Sequence, residues 1–181
     1  MNRISAWRVL ITAVVILGSA SAVSAGVLTE TLQNVTFYDG GVATGSFTFD
    51  TVTSAISDWS ISVSGGDTVS FPALTYGTSN SVASFGAGDL GLPRFTFEEN
   101  TGNRHIALLL ENPLPLSGGL DPFHIWPDGE AGHTAGFECL NCAPFRNFAT
   151  GSLDGVVPEP GVAVLTGLGL VVLVLRRRKR T

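Results

Sequence analysis

The seven residues Ser57-Asp-Trp-Ser-Ile-Ser-Val63 decide the fold class of this chain. Trp59, Ile61 and Val63 alternate with polar residues, and a period of two is typical of a β-strand with one face against a core. Alternate residues of a strand point to the same side, so we place Ser57 on the face of Trp59. The pattern predicts a strand that is buried on one face.

Further short apolar runs on both sides of this stretch have the lengths of strands. Phe-Thr-Phe occurs twice, at residues 47–49 and 95–97, and the continuous apolar run at 106–110 favours a strand covered on both faces. Residues 35–37 and 69–71 are shorter candidates. Glycine-rich turns separate these runs, and the sequence between them has no capped apolar stripe with helical spacing.

These strands and turns predict an all-β fold, with a single antiparallel β-sandwich or jelly-roll-like domain at residues 26–155. All eleven phenylalanines of the chain lie in this segment, and they supply enough apolar volume to fill the space between two sheets. Four prolines between Asn112 and Pro127 indicate a long loop with room for one short edge strand.

The charge of this segment is strongly one-sided. Between Gly26 and Val157, three arginines stand against fourteen acidic residues, a net charge of −11, and there is no lysine. Proteins that bind nucleic acid gain much of their affinity from cations that neutralise phosphates, so we predict no nucleic-acid partner. The same balance disfavours adhesion to anionic lipid and fits an acidic, solvated surface.

Residues 1–25 have the three parts of a secretory signal peptide. Two arginines precede an apolar run at 9–17, and small residues follow up to Ala25. We predict an N-terminal signal helix, export of the chain, and cleavage by signal peptidase between Ala25 and Gly26. Cleavage after Ala22 and retention of the segment as a membrane anchor are the alternatives.

The C-terminal segment, residues 156–180, has an equally clear order of parts. A proline-rich motif comes first, then the uncharged run 161–175, then five consecutive cations. At about 1.5 Å per residue, a helix over this run spans about 22 Å, which is short for a bilayer core of about 30 Å. Snorkelling cations can extend the span, so we predict a C-terminal transmembrane helix with its basic end in the cytoplasm.

The proline-rich motif reads Val157-Pro158-Glu159-Pro160, and the basic tail consists of Arg176, Arg177, Arg178, Lys179 and Arg180. Together with the glycine-containing apolar run, these parts resemble the PEP-CTERM sorting signal of Gram-negative bacteria. The resemblance implies processing by a membrane-embedded exosortase near the Pro-Glu-Pro motif. It also implies transient anchoring in the inner membrane and then release to the cell surface or to a matrix of extracellular polysaccharide. An unprocessed tail anchor is the alternative.

Cys139 and Cys142 are the only cysteines, and they form a Cys-x-x-Cys pair. In an exported protein the default state of such a pair is oxidised, so we predict a disulfide, and neither a metal nor a cofactor. A metal site would need both thiols together with His133, and with His124 or Glu138 as a fourth ligand. A redox-active pair is the third alternative, although no helix start follows the first thiol.

The remaining candidate residues lie in a strand and on the proline-rich loop. His105 falls within an apolar run and is interpreted as a structural histidine, whereas Trp126, Asp121 and Asp128 form a possible ligand loop for a sugar or a cation. No Gly-x-Ser-x-Gly or His-Glu-x-x-His motif occurs, so we predict a non-enzymatic exported domain. The alternatives are a carbohydrate-binding module for extracellular polysaccharide and, least favoured, a small secreted hydrolase.

Overall fold

The computed structural model describes residues 26–114, 118–125 and 135–157. The predicted signal peptide, the sorting signal from Pro158 onward, and Trp126, Asp128 and His133 lie outside the described residues. None of the described residues belongs to a helix long and apolar enough to cross a membrane. The described residues thus cover most of the segment predicted as the exported domain.

Ten antiparallel strands dominate the regular structure of the described residues, and the all-β prediction is confirmed. A single 3₁₀ turn at Asp89–Gly91 is the other regular element there. The strands are β1 (Val27–Phe37), β2 (Val42–Asp50), β3 (Ala55–Ser64), β4 (Leu74–Gly77), β5 (Ser81–Ala87), β6 (Pro93–Glu99), β7 (Arg104–Leu109), β8 (Gly119–Pro122), β9 (Phe137–Leu140) and β10 (Phe145–Val156).

The strands form one sheet in the order β4-β3-β2-β1-β10-β9-β7-β6-β5, and β8 pairs with the second half of β10. The sheet curls into a nearly closed antiparallel barrel or sandwich. Side chains bridge its two edges: Trp59 Nε1 donates a hydrogen bond to Ser81 Oγ at 2.9 Å, and Ser81 Oγ donates to the Gly77 carbonyl at 2.7 Å. These bonds hold the two edge strands together where the backbone ladder is interrupted.

An aromatic cluster fills the interior between β2 and β6. Phe47, Phe49, Phe95 and Phe97 are all buried. The ring centroids of Phe47 and Phe95 are 4.7 Å apart, and those of Phe49 and Phe95 are 5.0 Å apart. Burial of one phenylalanine side chain stabilises a fold by about 1.5–3 kcal/mol. The two Phe-Thr-Phe motifs of the sequence therefore join opposite walls of the barrel.

Strand β3 confirms the strand predicted from residues 57–63 but corrects which residues face the core. Ile61 is buried and Trp59 packs against the core, whereas Ser57 is exposed. Asp58 has a φ of 51°, and the pairing of β3 with β2 shifts register beside it. Such a bulge changes the alternation of side chains, so Ile56 takes the inward position that was predicted for Ser57.

Residues 69–71 do not form the predicted strand. The carboxylate of Asp67 accepts hydrogen bonds from the backbone N–H groups of Val69 and Ser70, both at 3.1 Å. Backbone donors that bind a nearby aspartate are not available to a strand ladder. The chain turns instead, which leaves Val69 92% exposed and buries Phe71 against two arginine side chains.

The proline-rich segment contains the short edge strand that its composition allows. Strand β8 pairs with β10 from Gly119 opposite Gly155 to Pro122 opposite Ser152. Proline has no N–H to donate to a ladder, so an edge strand is where a sheet accepts it. The pairing places Asp121 of β8 opposite Leu153 on the inward face.

Candidate functional site

The Cys-x-x-Cys pair lies at the hairpin that joins β9 to β10. Cys139 is a buried residue of β9, and Cys142 is half-buried in the turn that follows. Asn141 and Cys142 both have a φ of 52°, in the left-handed region that tight turns use. The N–H of Ala143 donates to the Leu140 carbonyl at 3.0 Å. The turn therefore folds the second thiol back beside the first.

His105 of β7 stands beside these thiols because it is the cross-strand partner of Cys139. Its Nε2 lies 3.3 Å from the Sγ of Cys139 and 3.9 Å from the Sγ of Cys142. The three potential ligand atoms lie within 4.8 Å of one another. Among the described residues, this is the one cluster of three or more histidine, cysteine or acidic side chains with metal-ligand spacing.

Burial controls the chemistry of Cys139. It raises the pKa of the Cys139 thiol to about 12, and the adjacent Cys142 thiol adds to that rise. The backbone N–H of Cys142 lowers the same pKa, because a donor to sulfur favours the thiolate. Cys139 is therefore a protonated thiol at neutral pH until a cation or an oxidant replaces the proton.

An apolar patch surrounds the three residues on the outward face of β7 and β9. Ala107, Phe137 and Cys139 form a buried cluster of their own, and Phe145 packs against it. The rings of His105 and Phe137 meet edge to face with centroids 5.5 Å apart. The patch packs against the histidine ring and excludes water from one side of the thiols.

The structure brings a different set of potential metal ligands together from the one that the sequence indicated for a metal site. Glu138 points to the opposite face of β9, where arginine side chains bind its carboxylate, so its prediction as a fourth ligand is wrong. His124 is not part of the cluster, and His105, which was interpreted as a structural histidine, takes the place beside the thiols. Both cysteines are free thiols in the structure, and the Cys139–Cys142 disulfide stays a prediction.

On the inward face of β9 lies a charged cluster that sequence reasoning missed. Glu138 is fully buried, and its Oε1 accepts hydrogen bonds from the Tyr76 hydroxyl and from Arg104 Nε, both at 2.7 Å. Its Oε2 accepts from Arg146 Nε at 2.6 Å. Burial and the adjacent carboxylate raise the pKa of Tyr76, so this side chain remains a hydroxyl donor. A buried carboxylate needs such partners, because isolated charge is costly inside a core.

Aromatic rings hold the two arginines of this cluster. The guanidinium of Arg146 lies 4.1 Å from the ring centroid of Phe37 and 4.7 Å from that of Phe71, and Arg104 lies 5.7 Å from Phe71. These are cation–π distances. One signal was available in the sequence: Arg146 lies between Phe145 and Phe148, and a cation within a buried strand requires a buried partner.

A second buried acidic group lies where β1, β10 and β8 meet. Glu30 sits on the inward face of β1, and burial, followed by the charges of Asp121 and Asp154, raises its pKa to about 7. Burial likewise raises the pKa of Asp121 to about 6, and Glu111 adds to it. Gly155 makes room for Glu30: a Cβ there would lie 2.8 Å from a Glu30 carboxylate oxygen.

The predicted ligand loop contributes one described residue, Asp121. It lies in strand β8 with 2% of its surface exposed and belongs to the interior acidic group. Trp126 and Asp128 lie outside the described residues, so the carbohydrate-binding alternative that rests on them stays a prediction.

No protein-family model matches the chain, and no curated protein or solved structure matches it either. Its function is therefore inferred from its own residues and geometry.

Proposed function

We propose that the chain is an exported, non-enzymatic protein of the cell surface or extracellular matrix. Signal peptidase removes residues 1–25 by cleavage after Ala25, and an exosortase processes the C-terminus at Val157-Pro158-Glu159-Pro160. The single observation that carries the proposal is where the folded domain begins and ends. Strand β1 begins at Val27 and strand β10 ends at Val156, so neither proposed cleavage position falls within the strand residues 27–156.

The pairing of the first and last strands explains why cleavage at both ends of the domain would leave the sheet intact. Thr29 of β1 is the antiparallel partner of Val156 of β10, so the first and last strand residues lie at the same end of two neighbouring strands. Two cuts there remove no strand residue and break no ladder hydrogen bond. The barrel can therefore complete its folding outside the membrane and survive both processing steps.

The distribution of charge supports a solvated location for the domain. Of the three arginines between Gly26 and Val157, Arg104 and Arg146 are buried in the Glu138 cluster, and Arg94 alone is not. Glu30, Asp121 and Glu138 are buried as well, so the described surface keeps the strongly acidic balance of the composition. Such a surface is repelled by nucleic acid and by anionic lipid headgroups, and it favours solubility.

The test replaces residues 158–160 with three alanines in the full-length chain expressed in its own host. The wild-type protein is expected to lose its apolar run and basic tail and to appear at the surface or in the medium. The variant is expected to keep residues 161–180 and to remain in the membrane fraction. Mass spectrometry of the mature C-terminus and cell fractionation measure the two outcomes.

Pro113→Ala is the matched control, because this exposed proline lies in the folded domain and outside the Pro-Glu-Pro motif. It should be processed and released as the wild type is. If the alanine variant and the wild type have the same mature C-terminus and the same location, the sorting proposal is wrong.

A further inference from the structure

His105 Nε2 lies from each of the two thiols at about the distance that separates two ligands of a tetrahedral metal ion. With metal–sulfur bonds of about 2.3 Å and a metal–nitrogen bond of about 2.0 Å, tetrahedral angles separate a sulfur and a nitrogen ligand by about 3.5 Å. The distances from His105 Nε2 to the two Sγ atoms are 3.3 and 3.9 Å. The histidine nitrogen is thus close to the expected ligand-to-ligand distance from both sulfurs, without movement of a strand.

The donor types select the class of ion. Two sulfurs and one imidazole suit zinc and other thiophilic ions, whereas calcium and magnesium prefer oxygen ligands. The apolar patch of Ala107, Phe137 and Phe145 limits access of water to one side of the site.

Small side-chain motions complete the coordination. The Sγ of Cys139 lies 3.5 Å from Nδ1 and 3.3 Å from Nε2 of His105, so the sulfur faces the ring rather than the lone pair of one nitrogen. Metal binding through Nε2 therefore requires the ring to reorient beside the thiols. Cys142 and His105 are half-buried, so the two side chains keep some exposure to solvent.

We propose that His105, Cys139 and Cys142 bind one thiophilic divalent cation, of which Zn²⁺ is the type case, with a water or an external ligand in the fourth position. This site is separate from the sorting signal and does not depend on the proposed export. It competes with the Cys139–Cys142 disulfide, because the disulfide uses both ligand sulfurs.

The experiment uses the full-length chain, purified in mild detergent with a phosphine reductant that leaves no competing thiol. Zn²⁺ is titrated against a chromogenic chelator, and Co²⁺ is added separately to detect thiolate-to-metal charge transfer. We expect one ion per chain and a cobalt spectrum typical of mixed sulfur and nitrogen ligation. Cys139→Ser or Cys142→Ser should weaken Zn²⁺ binding by at least about 100-fold, more than the loss of an outer-sphere contact to a bound metal causes.

Two further variants isolate the role of the histidine. His105→Gln should weaken Zn²⁺ binding by at least about 10-fold, and His105→Cys should restore it, since sulfur replaces nitrogen in the same ligand set. His124→Gln is the matched control and should bind as the wild type does. The far-ultraviolet circular dichroism of each metal-free variant verifies that the strands are intact.

Oxidation provides an independent readout. Oxidised glutathione takes two electrons and two protons from the two thiols, forms the Cys139–Cys142 disulfide and is itself reduced to two thiols. Zn²⁺ binding should then be lost and should return after reduction. The proposal is overturned if the reduced wild type binds Zn²⁺ no more tightly than the double serine variant, or if His105→Gln leaves the affinity unchanged. Either result would leave the sorting proposal intact.

Discussion

Two buried carboxylates of this barrel meet opposite surroundings. Glu138 lies among Arg104, Arg146 and the Tyr76 hydroxyl, and each of its oxygens accepts a short hydrogen bond. Glu30 faces other acids, and its pKa rises to about 7 through burial and through the charges of Asp121 and Asp154. Both side chains are at most 1% exposed, so burial alone does not explain the contrast.

The comparison shows that the charged and hydrogen-bonding neighbours of a buried acid, and not its degree of burial, decide whether it stabilises this fold. The Glu138 carboxylate is part of a charge network that also anchors loops at one end of the barrel, since Arg146 donates to the Gly65 carbonyl at 3.2 Å. The Glu30 carboxyl is tolerated because protonation removes its charge. Removal of a charge should therefore have opposite effects at the two sites.

The largest effect is expected for Glu138→Gln. This change leaves Arg104 and Arg146 without the buried counter-charge that both arginines bind, and breaking a buried ion pair costs about 3–5 kcal/mol. Urea unfolding at pH 7 measures the loss. Glu99→Gln, at a half-buried surface position of β6, is the control and should stay within about 0.5 kcal/mol of the wild type. Equal losses at both positions would contradict the role of the cluster.

Tyr76→Phe tests the same cluster by a smaller change. It removes the hydroxyl that donates to Glu138 and keeps the buried ring, and a hydrogen bond to a charged group contributes about 1.5–3 kcal/mol. Thermal unfolding should therefore show a clear decrease in stability. Tyr38→Phe, on a side chain that is 49% exposed, should cost less. A neutral Tyr76→Phe would mean that the two arginines alone satisfy the carboxylate.

Glu30→Gln should stabilise the protein, and only above mildly acidic pH. The pKa of Glu30 is raised from 4.5 to about 7, so the folded state binds more protons than the unfolded state in that interval, and wild-type stability falls as pH rises through it. Asp121, with its pKa raised to about 6, acts in the same direction. The variant should gain about 1–2 kcal/mol at pH 8 and little at pH 4.5. Urea unfolding at both pH values measures this, and an equal gain at each would refute it.

The smallest effect is expected for Asp39→Asn. Burial raises the pKa of Asp39, but hydrogen bonds from the N–H groups of Asp67 and Gly41 and the nearby Arg146 outweigh it, so the net shift is downward. The carboxylate therefore adds stability at neutral pH that is lost as the pH falls through this lowered pKa. Because Asp39 is largely solvated, the variant should lose less than about 1 kcal/mol at pH 7. Thermal unfolding at pH 7 and pH 3 should show that the difference becomes smaller in acid.

Local sequence patterns predicted where these strands lie, but they did not predict which side chains of β3 face the core. The Phe-Thr-Phe pairs at 47–49 and 95–97 and the run at 106–110 all lie in strands, because alternation and turns are encoded by neighbouring residues. Ser57 was placed on the wrong face because the bulge at Asp58 depends on pairing with β2. The strand predicted at residues 69–71 does not form for a related reason. The Asp67 carboxylate accepts hydrogen bonds from the backbone N–H groups of Val69 and Ser70.

By itself, the sequence determined the all-β class and the candidate importance of Cys139 and Cys142. Each of these follows from residues that are close along the chain. Only the tertiary structure brought His105 to the thiols from 34 positions away, placed Glu138 on the opposite face, and set Glu30 beside Asp121. Those contacts join distant strands through sheet register, and a single sequence carries no local signal for which strands will become neighbours.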